Sequence, residues 1–204
     1  MMIEEFGPRV ANVWNHLRTT TRNLIEHAWQ SAGSGSAPQV PRSAPYDPRA
    51  DQELSQLLAA LDEHAQTEVS AGREGARESR RLADACANVL SQQTQSAEVF
   101  AQLIERAHLR NNYAQVDALA ALLPERLAPT ELCELARANN VIVRALAHEA
   151  LTQLPTSLLA ALLRDPVDAV IARQALERQA NEFGSEDAQR IVREAIEGFE
   201  ENFD

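Results

Sequence analysis

The chain has 204 residues, of which 45% are apolar and only 4% aromatic, so it is long enough to bury a core that contains few rings. The 30 acidic residues exceed the 19 basic ones, and the resulting net charge of −11 disfavours nucleic-acid binding unless a local basic face exists. Every basic residue is an arginine. The absence of lysine excludes Schiff-base chemistry, a pyridoxal-phosphate anchor and the ammonium group of a phosphate-binding loop.

The N-terminal segment predicts one amphipathic helix over residues 9–30. Apolar residues recur there at steps of three and four, and Trp14 and Trp29 belong to that stripe. This helix could dock on a partner, lie in a membrane interface, or fold back as a cap on the rest of the chain.

The segment 31–48 is rich first in glycine and serine and then in proline, which is typical of a flexible linker. We therefore expect three parts: an N-terminal amphipathic helix in residues 1–30, the linker 31–48, and a helical repeat domain in residues 49–204.

Two features organise the start of the repeat domain. Asp47 and Pro48 predict an N-cap followed by proline at the first helical position. Gly72 and Gly75 weaken the helical pattern over residues 71–81, since glycine costs about 1 kcal/mol against alanine inside a helix. We expect two helices to meet there.

From Ser96 onward the chain repeats a pattern of apolar helix, polar break and second apolar helix. The first unit ends at Pro124, the second runs from Thr130 to Pro155, and the third begins at Thr156. In the first two units a Leu-Pro pair is expected to stop the second helix.

The breaks between the paired helices are Asn111-Asn112, Asn139-Asn140 and Asp165-Pro166, whose Asn and Asp side chains can cap the helix that follows. Alignment of the second and third units pairs Ala147 with Ala172, where small side chains let neighbouring helices approach closely. Because one helix pair cannot bury both of its apolar stripes, we predict that successive pairs stack. A last helix is expected to begin at Ser185.

The second unit carries a family resemblance in Val143, Arg144, Ala147, Ala150 and Leu151. With these residues it resembles the short HEAT-like α-solenoid repeats, and the leucine-rich variant repeat is a close alternative. The resemblance covers residues of about 96–180. It implies an all-α fold of stacked helical hairpins, here with a separate N-terminal amphipathic helix, and it carries over no catalytic residue.

We find no sequence motif for a nucleophile, a metal or a phosphate-bearing cofactor, so we expect no catalytic residues, no metal and no cofactor. Cys133 and His148 lie on the two helices of one hairpin and could in principle form a thiolate pair. Their apolar neighbours Leu132, Leu135 and Val141 favour a packed, inert thiol instead.

The arginines of the second helices and their turns could bind carboxylates on a partner, or pair within the chain with Glu134, Glu149, Asp168 and Glu177. We favour the intramolecular pairing; the set comprises Arg137, Arg144, Arg164, Arg173 and Arg178. The candidate partner-binding residues are Trp14, Trp29, Arg137, Arg144, His148 and Arg173.

These observations favour a non-enzymatic scaffold or adaptor that binds another protein and not nucleic acid. One alternative is an enzyme or ligand-handling protein resembling the HEAT-like chromophore lyases, with His148 and Arg144 converging on a pocket. A peripheral membrane protein, attached through residues 9–30, is another. The acidic N-terminus and the absence of an apolar run of about 20 residues lead us to expect a cytoplasmic protein, and the exclusive use of arginine suggests a GC-rich bacterial genome.

Overall fold

A computed structural model of the protein describes residues 3–33, 46–71 and 75–200, and over these ranges the chain forms eleven α-helices and no strand. The predicted all-α class is confirmed, and the helices pack as stacked hairpins. The chain divides into two compact units, Met1–Val99 and Phe100–Asp204. This division falls at neither end of the predicted linker.

The first unit contains four helices, which follow a short 3-10 turn at Ile3–Phe6. Helix α1 packs against α3, α2 packs against α4, and α3 and α4 form a hairpin. The helices are α1 (Gly7–His16), α2 (Thr19–Gly33), α3 (Pro48–Ala71) and α4 (Gly75–Gln93).

The prediction of one helix over residues 9–30 is wrong, because the chain breaks between α1 and α2. Leu17 adopts an extended conformation with ψ of 144° and is buried. The carboxylate of Glu53, on α3, then accepts hydrogen bonds from the backbone N–H of Arg18 (3.4 Å), the Arg18 Nε (2.8 Å) and the hydroxyl of Thr21. Glu53 therefore stabilises the start of α2 from a distant part of the sequence.

The remaining expectations for the first unit concern its connections. Asp47 caps α3 as predicted, since its Oδ1 accepts hydrogen bonds from the backbone N–H groups of Arg49 (3.0 Å) and Ala50 (3.3 Å). The predicted linker begins too early because α2 extends through Gly33, and residues 34–45 lie outside the described ranges. The predicted meeting of two helices is confirmed by α3 and α4, with residues 72–74 outside those ranges.

The repeats lie in the second unit. The helices from Ala97 onward are α5 (Ala97–Leu109), α6 (Tyr113–Arg126), α7 (Pro129–Ala136), α8 (Val141–Thr152), α9 (Thr156–Leu162), α10 (Ala169–Glu182) and α11 (Glu186–Glu200). The second unit contains most of α5, then α6, the packed pairs α7–α8 and α9–α10, and the final helix α11. The second helices pack side by side, with α8 in contact with both α6 and α10. The first helices α7 and α9 also touch, and α11 packs on α10.

Alanine and leucine are buried on the second helices of successive hairpins, α8 and α10, which pack together. Ala147 on α8 and Ala172 on α10 are completely buried, as are Leu151 and Leu176. These are equivalent positions in the alignment of the second and third units, and the structure buries both members of each pair. Small residues let the helix backbones approach, and the leucines fill the space beside them.

Asparagine caps begin two of the second helices. The Asn112 Oδ1 accepts a hydrogen bond from the backbone N–H of Gln115 (3.2 Å), and Asn111 before it has a positive φ of 55°, which asparagine tolerates. The Asn140 Oδ1 accepts from the backbone N–H groups of Ile142 (2.9 Å) and Val143 (3.3 Å). Both breaks act as predicted.

Two predicted helix ends in the repeats are wrong. Pro124 lies inside the last turn of α6, which continues to Arg126 and is closed by a bond from Leu127 N–H to the Leu123 carbonyl (3.0 Å). Asp165 does not cap α10, which begins four residues later at Ala169. The Asp165 side chain instead accepts a hydrogen bond from the backbone N–H of Val167 (2.8 Å) and forms a local turn.

The predicted start of the last helix is confirmed. Helix α11 begins at Glu186, and the hydroxyl of Ser185 accepts a hydrogen bond from the backbone N–H of Ala188 (3.3 Å).

Replacing Asn140 tests whether this cap supports the second unit. We expect Asn140→Ala to lower the free energy of unfolding by about 1 kcal/mol, because two N–H groups at the start of α8 lose their acceptor. The neighbouring Asn139→Ala is the matched control, since the Asn139 side chain makes no hydrogen bond within the described residues. Urea denaturation measures both variants, and equal losses of stability would contradict the assigned cap.

Candidate interaction surface

The turns between paired helices expose apolar side chains. Among the described residues, every exposed large apolar side chain belongs to the second unit. Five of the seven lie next to these turns: Leu109, Tyr113, Val141, Val167 and Val170. The expectation that Val141 packs beside Cys133 is wrong, since Val141 is the first residue of α8 and is 66% exposed.

An arginine follows the first helix of each pair. Arg110, Arg137 and Arg164 recur every 27 residues, each at the start of a turn. This recurrence is visible in the sequence, although the sequence does not show which arginines find partners inside the molecule.

Arg137 joins the turns of two successive hairpins. Its Nη1 donates to Asp168 Oδ1 (2.6 Å) and to the carbonyl oxygen of Val167 (3.3 Å). The side chain of Asp168 is only 5% exposed, and Arg137 supplies the positive charge that its carboxylate needs at this depth. Arg137 therefore pairs within the chain, as we favoured from the sequence.

Arg173 and Arg178 also pair within the chain. On α10, Arg173 Nε donates to Glu177 Oε1 (3.0 Å), and Arg178 Nη2 lies 3.2 Å from Glu182 Oε2 and 3.2 Å from Glu149 Oε2 on α8. These bonds connect α8 and α10 at the surface. Pairs at this exposure contribute little stability, about 0–1 kcal/mol each.

Arg144 and Arg164 differ from the other three arginines. The Nη1 of Arg144 donates to the carbonyl oxygen of Ala138 (3.0 Å), which brings the guanidinium group from α8 back to the preceding turn. Within the described part of the chain, Arg144 pairs with no carboxylate, and Arg164 is exposed and makes no side-chain bond. Both guanidinium groups lie at hairpin turns and keep N–H donors for further hydrogen bonds.

His148 lines an open cleft of about 470 Å³ on the surface formed by α8 and α10. The other lining residues are Gln174, Glu177, Arg178, Asn181 and Glu182. Burial lowers the pKa of His148, and the positive charges of Arg178 and Arg144 lower it further. The imidazole is therefore neutral at physiological pH. Among the other lining residues, Arg178 pairs with Glu182, and Glu177 pairs with Arg173, which lies outside the lining.

The two tryptophans lie on different helices of the first unit. Trp14 on α1 and Trp29 on α2 are both half-buried, and the guanidinium carbon of Arg81 lies 5.0 Å from the centre of the Trp29 ring. This cation–π contact covers part of one face of the Trp29 ring within the first unit. The tryptophans thus belong to the first unit, whereas the candidate residues Arg137, Arg144, His148 and Arg173 belong to the second.

The two cysteines are buried, unreactive thiols. Cys86 and Cys133 are both buried and form no disulfide, and burial, together with the nearby charge of Asp168, raises the pKa of the Cys133 thiol to about 11. A protonated, buried thiol is a poor nucleophile. Over the described ranges no three His, Cys, Asp or Glu side chains are grouped as metal ligands require, and no helix there is long and apolar enough to cross a membrane.

No protein-family profile matches this sequence, and searches of curated proteins and of solved structures also gave no match.

Titration of His148 tests the electrostatics of the cleft. We expect its NMR midpoint to lie below the ordinary value of 6.5, and Arg178→Gln to raise that midpoint because one repelling charge is removed. The unfolded chain then binds the proton more readily than the folded one, so this residue makes stability fall as the pH drops below 6.5. His148→Gln identifies the resonance, and Arg190→Gln on α11 serves as the control; a midpoint at or above 6.5 would refute the assignment.

Proposed function

We propose that the protein is a non-enzymatic scaffold or adaptor that binds another protein through its second, repeat-bearing unit. The observation that carries the proposal is the concentration of exposed apolar side chains at the hairpin turns. Val141 and Val167 are 66% and 65% exposed, although residues this apolar usually gain stability by burial. Exposed apolar side chains that cluster, rather than lie scattered, mark sites of protein association.

We further propose that the repeats are of the HEAT-like type. Two features support it: asparagine caps at the start of second helices, and fully buried alanine on α8 and α10, which pack together. Stacked hairpins present an extended, rigid surface, because each pair is held by its neighbours. Rigid surfaces lose little conformational entropy on binding, which suits a scaffold.

A cytoplasmic location is part of the same proposal. It is supported by Cys86 and Cys133, two buried cysteines in the described ranges that form no disulfide. Proteins in reducing compartments keep such thiols reduced.

Polar substitution of the exposed valines tests the scaffold function. In affinity capture from an extract of the source cells, quantified by mass spectrometry, we expect the full chain to enrich specific partners. We expect Val141→Ser combined with Val167→Ser to lose most of that enrichment, because apolar contact is removed without disturbing the core. Surface changes of this kind alter stability by no more than about 0.5 kcal/mol.

Leu158→Ser is the matched control, since Leu158 is exposed on α9 away from the turns. It should capture the same partners as the unchanged chain. Two outcomes would contradict the proposal: no enriched partner at all, or equal enrichment by the valine double variant.

A further inference from the structure

We propose that the turns of the second and third hairpins bind an acidic peptide segment of a partner protein. The surface, which we name the turn edge, consists of Arg137, Val141, Arg144, Arg164, Val167 and Val170. This inference rests on the proposed scaffold function and assigns it a surface and a chemical class of partner.

The apolar part of the turn edge is formed by three valines from two turns. Val141, Val167 and Val170 are 66%, 65% and 66% exposed. The bond from Arg137 to the Val167 carbonyl (3.3 Å) joins the second turn to the third, and the three valines lie at these two turns. An apolar side chain of a partner can rest on them and exclude water from all three.

The charged part of the turn edge consists of cations that the molecule leaves without a carboxylate. Arg144 gives one donor to the Ala138 carbonyl, and Arg164 has no side-chain bond within the described residues. A guanidinium group carries five N–H donors in a planar fork that matches a carboxylate. Both arginines can therefore bind a carboxylate without breaking an existing ion pair.

Neither carboxylate of the two turns accepts a hydrogen bond from Arg144 or Arg164. Asp168 is buried against Arg137 (2.6 Å), and Asp165 accepts the backbone N–H of Val167 (2.8 Å). The turn edge thus combines exposed valines with Arg144 and Arg164, neither of which pairs with a carboxylate within the described residues. Charge complementarity favours an acidic partner here.

A peptide suits this edge better than a nucleic acid. The exposed valines of the turn edge offer nothing to a phosphate backbone, and a long polyanion would extend over the acidic remainder of the molecule. A short peptide places its few carboxylates at the two arginines and its apolar side chains on the valines.

Fluorescence polarisation of a labelled peptide tests the inference with the full chain. The probe is a short peptide with two leucines flanked by glutamates, and a second peptide replaces each glutamate by glutamine. We expect the glutamate peptide to bind, the glutamine peptide to bind about tenfold more weakly, and the binding to weaken as salt is added.

The matched variants are Arg144→Gln with Arg164→Gln, and Arg190→Gln with Arg193→Gln. Both remove two positive charges, but the second pair lies on α11, outside the turn edge. We expect the first double variant to bind the glutamate peptide about tenfold more weakly and the second to bind it as the unchanged chain does. Circular dichroism establishes that both variants keep their helices.

Equal binding by the unchanged chain and the Arg144/Arg164 variant would overturn the inference, as would equal affinity for the two peptides. It would also be overturned if a DNA or RNA oligonucleotide displaced the peptide from the turn edge, or if the valine double variant abolished a dimer that covers it. If the protein captures cellular partners but does not bind the peptide, this inference fails and the scaffold function stands. Peptide binding without any cellular partner would contradict the scaffold function and leave the turn edge standing.

Discussion

Successive hairpins of the second unit can remove their apolar stripes from water only by packing against one another, and this requirement organises everything that follows from residue 100 onward. In a hairpin, each helix packs one apolar face against the other helix of the pair, and its second apolar face is buried only when the next hairpin packs on it. Ala147 and Ala172 are completely buried on α8 and α10, which pack together, and the Arg137–Asp168 bond fixes the register of the adjoining turns. The hydrophobic contact provides the stability, while the ion pair specifies the alignment, because an unpaired carboxylate at that depth is costly.

The repeats and their caps could be predicted because the signals are local. Asn112 and Asn140 cap the helices that begin beside them, and a helical stripe identifies its own buried face. The break at Leu17 could not be predicted, because its cause is Glu53, which lies 35 residues from Arg18 in the sequence. A continuous apolar period carries no information about such a distant acceptor.

The candidate surface shows the same division between local and distant signals. The arginines at the turns could be found from the sequence, but their roles depend on bonds across hairpins. Arg137 is occupied by Asp168, whereas Arg144 reaches back to a carbonyl oxygen and keeps donors for a partner. The exposure of Val141 could not be predicted from the sequence either. An apolar residue at the first position of a helix fits the helical apolar pattern whether or not a neighbouring element covers it. The interaction surface therefore emerges from the turns that the stacking aligns.

A double-mutant cycle on Arg137 and Asp168 tests this stacking most directly. Arg137→Met, Asp168→Asn and the double variant would be compared with the unchanged chain by urea denaturation. We expect a coupling energy of about 1–3 kcal/mol, because the bond of 2.6 Å joins one hairpin to the next. A coupling energy within about 0.3 kcal/mol of zero would mean that the two turns do not meet, and the aligned surface would lose its basis.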